Sequence, residues 1–268
     1  MLAVTNLSGF GGFRSPYAVD VLRAAGYGSD LVLCLDPADP RSYSGDQEWT
    51  DLSDQASSFY RGASVAAQGS DPMFNGDVGA EGAYWSVDGG DYFRKVNANE
   101  DWINDLHKDN ALFELYVFFY HQSGSLSRFL GTDGQSSSNV GIRMGVNTSD
   151  QLFVVVGDGS GSQTLSQNSG PITFGTGWHL AGIRMDEPNG QLYLDRDNIV
   201  TALVGGSYIT PSAAAATYKA EIGACGNAVN PSTSGELLGL TVMVMRDYPD
   251  SADIMQLLWD TFRHRYGL

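Results

Sequence analysis

The chain has 268 residues and a formal net charge of −16, so it should repel nucleic acid and anionic membrane surfaces. Hydrophobic residues make up 42%, enough for a sizeable core, while 33 glycines and only 17% charged residues favour a turn-rich all-β protein over a helical one. The length suits a single β-sandwich, and two cysteines are too few for a disulfide framework or a zinc site.

Met1 to Val4 runs into polar and glycine residues without a basic start or a long apolar stretch, so neither a signal peptide nor a membrane span is expected. Folding in the cytoplasm follows. Residues 1–28 read as an irregular arm and a short helix. Gly9-Phe10-Gly11-Gly12-Phe13 joins a flexible backbone to two rings with no local core. Ser15 as N-cap and Pro16 at the first helical position open the helix, and Gly26 closes it. Phe10, Phe13, Val19 and Leu22 are therefore candidate anchors onto another subunit. The alternative is that arm and helix cover one end of the domain.

Leu31-Val32-Leu33-Cys34-Leu35 is a buried strand stopped by Asp36-Pro37. Asp36, Asp39 and Asp46 in and beside the next loop are candidate oxygen donors to calcium, although their spacing is not that of an EF-hand. Asn97 to Lys108 reads as a short connecting helix carrying Trp102, Ile103 and Leu106. Leu112 to Tyr120 is apolar on both faces and predicts a central strand. Arg128 to Gly131, Val140 to Val146 and Gln151 to Val156 then predict a meander. Gly157-Asp158-Gly159-Ser160-Gly161-Ser162 lacks the Lys-Ser/Thr ending of a phosphate loop and reads as a turn.

Trp178 to Met185, then Asp186-Glu187-Pro188-Asn189-Gly190, then Gln191 to Asp195 predict a hairpin, with Trp178 as a buried anchor. Leu237 to Met245 is the closing strand. Asp250 caps a final helix whose stripe is Ile254, Leu257, Leu258 and Phe262, with Arg263, His264 and Arg265 in its last turn.

The Trp178-His179 opening and the Leu192-Tyr193-Leu194-Asp195 return follow, in order, Trp49-Thr50-Asp51-Leu52-Ser53, Phe74-Asn75-Gly76 and Ala83-Tyr84-Trp85-Ser86-Val87-Asp88-Gly89-Gly90-Asp91-Tyr92-Phe93. This ordered set resembles the laminin-G-like, or concanavalin A-like, lectin jelly roll, and Ala220 to Gly226 resembles the strand before its last loop. The resemblance assigns residues 29–268 to that domain. It implies an all-β, two-sheet antiparallel jelly-roll sandwich with short N-terminal and C-terminal helices. In that family the first and last strands adjoin, which would let Cys34 and Cys225 pair, whereas a cytosolic fold favours two buried thiols.

Catalytic signatures are missing from the sequence. There is no Gly-x-Ser-x-Gly elbow, no His-Glu-x-x-His pair, and no carboxylate cluster of the kind that jelly-roll glycoside hydrolases place on one strand. His121 and His179 read as structural. Trp49, Tyr60, Trp85 and Tyr92 are candidate sugar-stacking rings, with core packing as the competing role of each. Phage structural proteins that resemble this chain carry such domains on the particle. The expectation is a non-enzymatic virion surface protein, made in host cytoplasm, that docks to other virion proteins or its own copies through the N-terminal arm and binds host-surface glycan without a cofactor. A glycan hydrolase or a free bacterial lectin is the alternative.

Overall fold

A computed structural model describes residues 16–134, 138–197, 205, 208–233, 235–245 and 253–268. Helix α1 (Ala18–Ala24) precedes β1 (Leu31–Leu35), β2 (Glu48–Trp49), β3 (Phe59–Arg61), β4 (Met73–Asn75), β5 (Tyr84–Ser86) and β6 (Phe93–Lys95). Helix α2 (Asp101–Asp105) leads into β7 (Leu112–His121), β8 (Ser127–Gly131), β9 (Val140–Val146) and β10 (Gln151–Asp158). Then come β11 (Gln163–Thr173), β12 (Gly177–Asp186), β13 (Gln191–Arg196), β14 (Glu221–Ile222), β15 (Leu237–Val244) and helix α3 (Asp253–Phe262).

Among the described residues the strands form two sheets. A seven-stranded sheet runs β13-β12-β7-β15-β5-β4, with β1 also on β15, and an eight-stranded sheet runs β11-β10-β9-β8-β14-β6-β3-β2. All pairings between named strands are antiparallel, giving the expected all-β jelly-roll sandwich. Strand alternation explains the layers. Phe113, Leu115, Val117 and Phe119 of β7 point between the sheets, where they meet Ile142, Met144, Leu152 and Val154.

Tyr116 and Phe118 point the other way and are also buried, because the outer face of the seven-stranded sheet carries a second apolar layer. Leu180, Leu240, Val242 and Val244 supply the sheet side of that layer, and Val19, Leu22, Ile254, Leu258 and Phe262 supply the helices. Tyr266 fits a bulge in β15. A Cβ on Gly239 would come within 2.7 Å of its hydroxyl, which accepts from the Leu240 N–H at 2.9 Å.

Helix α1 begins at Ala18 with Tyr17 in the N-cap position, two residues later than Ser15-Pro16 predicts. Tyr17 makes no side-chain cap. Asp36, at the end of β1, accepts from the Ala18 N–H at 3.3 Å instead. The same carboxylate takes Arg265 Nη1 at 3.0 Å on both oxygens, and Arg265 Nη2 donates to the Pro16 carbonyl at 2.8 Å. Chain start, first strand and chain end are tied at one buried ion pair.

Val19 and Leu22 are fully buried in this second layer, so they are spent on the domain's own packing and cannot anchor it elsewhere. Phe10, Phe13, Ser15 and Asp250 lie outside the described residues. The predicted hairpin forms as β12 and β13, with Asp186 accepting from Asn189 N–H and Gly190 at φ 65° closing the turn. Trp178 is only half-buried, against the expectation of an enclosed anchor. It sits on the outer face beside Tyr266, ring centroids 4.5 Å apart. Strands β1 and β15 do adjoin, but Cys225 follows β14 in the other sheet, and both cysteines are buried free thiols.

Candidate functional site

The outer face of the eight-stranded sheet has no helical cover among the described residues. Register carries one row of residues across every strand of it. Glu48 pairs with Tyr60, Tyr60 with Arg94, Arg94 with Glu221, Glu221 with Gly131, Gly131 with Arg143, Arg143 with Val155 and Val155 with Ser166. Their inner-facing neighbours Trp49, Phe59, Phe93, Ile222, Ile142 and Val154 belong to the core, so this row faces outward.

Three depressions lie along the row. The first, about 430 Å³, is lined by Asp46, Glu48, Tyr60 and Val65. The second, about 380 Å³, is lined by Arg94, Glu221, Tyr218 and Lys219. Here Arg94 donates to Glu221 at 2.8 Å and its guanidinium lies 4.9 Å from the Tyr92 ring centroid. Burial raises the Glu221 carboxyl above its ordinary range, while the Ala228 N–H and Arg94 pull it back. A wall follows where Cys225 packs over Gly131; a Cβ there would come within 2.6 Å of the Cys225 Cβ.

Beyond that wall is the third depression, about 360 Å³, lined by Arg128, Arg143, Phe153, Thr148, Ser166 and Asn168 among others. Arg128 shares a second row with Gly145, Phe153 and Asn168. Gly145 has no side chain to block it, and Arg128 reaches over β9 to set its guanidinium 5.2 Å from the Phe153 ring centroid. Buried Asp133 accepts from Arg143 Nη1 and fixes that guanidinium. A larger hollow of about 460 Å³ lies away from this face, around Lys108 and Met245.

Of the four aromatic candidates, Tyr60 stands on the open face. Trp49 and Trp85 are 0% exposed and pack 5.6 Å apart in the inner core, and Tyr92 is 6% exposed, so these three rings cannot stack on a sugar. Tyr92 is covered by the Arg94 guanidinium, and for the two tryptophans the reason is parity. Trp49 and Trp85 fall on the inward positions of β2 and β5. The metal candidates do not converge. Asp36 serves Arg265, Asp39 serves Arg41 through Nε and Nη2, and exposed Asp46 takes Ser44 and the Glu48 N–H. No group of three or more potential ligands is assembled among the described residues.

Sequence reasoning missed two constellations. In the sequence Arg128 and Arg143 read only as strand residues; the signal for the site is Arg143 between core positions Ile142 and Met144, which places it on the opposite face. The other is His121, whose Nε2 lies 3.0 Å from Asp150 and whose Nδ1 lies 3.2 Å from Glu236 and 3.4 Å from Ser127 Oγ. Serine, histidine and aspartate thus stand in line, but Ser127 is 1% exposed and its hydroxyl donates to Glu236. Burial alone would lower the His121 imidazole, yet its hydrogen bonds to the acceptor carboxylates of Glu236 and Asp150 leave it above its ordinary value. His179 has its Nε2 2.9 Å from the Gly175 carbonyl.

No protein-family model matches the chain, and no curated protein matches it in sequence. Solved structures do match in shape. A structure of botulinum neurotoxin type C, whose cell entry depends upon interaction with two ganglioside molecules, has a TM-score of 0.58 at 9% identity, over 90% of this chain and 53% of that one. The sialidase of Trypanosoma rangeli in complex with sialic acid gives 0.55 at 12% identity, over 90% and 34%. The binding domain of botulinum neurotoxin DC in complex with rat synaptotagmin II gives 0.54 at 9% identity, over 88% and 52%. The chain spans about half of the neurotoxin chains and about a third of the sialidase. At these identities the likeness establishes the fold alone, a jelly-roll sandwich.

Proposed function

We propose that this is a non-enzymatic carbohydrate-binding jelly-roll domain whose binding surface is the outer face of the eight-stranded sheet. One observation carries the reading. That face presents a row that is polar except at Gly131 and Val155, with three depressions along it, while the opposite sheet's outer face is closed by helices. Neighbours that bind ganglioside or sialic acid on structures containing this fold lend support. The burial of Ser127 favours a binding role over a hydrolytic one, since no substrate reaches its oxygen. Recognition in this reading uses no cofactor.

The setting we propose is the surface of a bacteriophage particle, as a decoration, head-fibre or tail component made in host cytoplasm. Support comes from the sequence resemblance and from the acidic charge. With Val19 and Leu22 committed to the domain, attachment to other virion proteins or to further copies falls to Phe10 and Phe13. Incubating the full chain with a glycan array and with labelled polysaccharides tests the function: saturable binding without turnover is expected, and release of reducing ends would overturn it. Removing residues 1–15 should abolish particle attachment and leave glycan binding intact; attachment that survives the removal places the contact on the sandwich.

A further inference from the structure

The third depression differs from the rest of the molecule in charge. The chain holds 31 acidic and 15 basic residues, yet the lining has two arginines, 3% and 6% exposed, and no Asp or Glu; the nearest carboxylate, buried Asp133, is paired with Arg143 behind it. The rest of the lining is polar amide and hydroxyl, with Phe153, Val155 and Leu126 between them, which suits a sugar better than an apolar peptide segment.

Resting on the carbohydrate reading above, we propose that this depression is a subsite for the carboxylate of an acidic sugar. Arg128 and Arg143 receive the charge, and Thr148, Ser166 and Asn168 frame the ring. Geometry supports arginine in this role. A guanidinium offers planar, forked donors that match a carboxylate, and its orientation here is preset: Arg143 by Asp133, Arg128 by the Phe153 ring. Register brings the two close. Arg143 is paired with Gly131, and Arg128 lies three residues earlier on the same strand, past a bulge. Burial holds the Arg128 guanidinium below its ordinary value; the like charge of Arg143 adds to that, and Cys225 and Asp133 offset part of it.

The test is binding of the full chain to oligosaccharides from hyaluronan, alginate and polysialic acid, against neutral chitohexaose and dextran, with inorganic phosphate and poly-glutamate as further probes. At least one carboxylated saccharide should bind tenfold or more tightly than the neutral ones. Two variants locate the site. Ser166→Glu sets a carboxylate on an exposed rim position and should weaken that binding tenfold or more at low salt, with a smaller loss at high salt, without changing the melting temperature. Arg128→Gln should weaken it likewise. Neutral saccharides bound as tightly, or Ser166→Glu binding as the parent does, would overturn the carboxylate subsite and leave the carbohydrate reading standing. Binding of no saccharide would overturn both. Phosphate or poly-glutamate bound as tightly as any saccharide would replace the subsite with a general anion site.

Discussion

The two outer faces of this sandwich receive opposite treatment. On the seven-stranded sheet, the alternate side chains of β7, β12 and β15 are apolar, and helices α1 and α3 with Tyr266 bury them; each large side chain covered in this way contributes about 1.5–3 kcal/mol. On the eight-stranded sheet the equivalent positions are Glu48, Tyr60, Arg94, Glu221, Gly131, Arg143, Val155 and Ser166; no helix covers them among the described residues, and loops and neighbouring side chains bury Glu221, Arg143 and Val155. Both sheets contribute to one core. The covered face adds stability and leaves little to read, whereas the open face keeps polar chemistry that the core does not require.

Mutations should therefore separate the faces. The largest effect is expected for Arg265→Ala, which leaves Asp36 buried without its partner and should cost about 3–5 kcal/mol in urea unfolding. Leu22→Ala should cost about 2–5 kcal/mol, because the helix it belongs to is part of the domain; a loss below about 0.5 kcal/mol would detach α1 from the core. Tyr266→Phe removes the partner of the Leu240 N–H beside the β15 bulge, a loss of about 1–3 kcal/mol. On the open face, Ser166→Glu should change stability by no more than about 0.5 kcal/mol.

A pH series probes the end of the sandwich where the two sheets are joined. His121 holds its proton more tightly folded than unfolded, so its contribution is complete below the imidazole's ordinary 6.5 and is lost as pH rises through the raised folded value. Melting temperature should fall over that interval in the parent. In His121→Gln the slope should flatten, and an unchanged slope would assign the proton to another group.

Much of the fold was legible in the sequence because its signals are local. The β12–β13 turn follows from Asn189-Gly190, and the central place of β7 follows from apolar residues at both parities. The site was less legible. Whether Trp49 or Tyr60 faces solvent depends on which parity of a two- or three-residue strand turns inward, and that is set by partners far away in sequence. Glu221 completes the outward row only because β14, two residues long, pairs with β6 across 127 positions. Trp178 misled for a related reason. Its strand is central, but its parity is outward, under Tyr266 rather than between the sheets. The buried ion pair of Asp36 with Arg265 could not be read from loop composition, which made Asp36 look like a metal ligand.

The claim that one face is closed for stability and the other open for binding meets its most direct test in hydrogen exchange of the full chain. Amides would be followed with and without a saturating hyaluronan, alginate or polysialic acid oligosaccharide, whichever binds. The account predicts added protection in β8, β9, β10 and β11 around Arg128, Arg143 and Ser166, with α1, α3 and β15 unchanged. Protection centred on the helices, with none on the eight-stranded sheet, would contradict it.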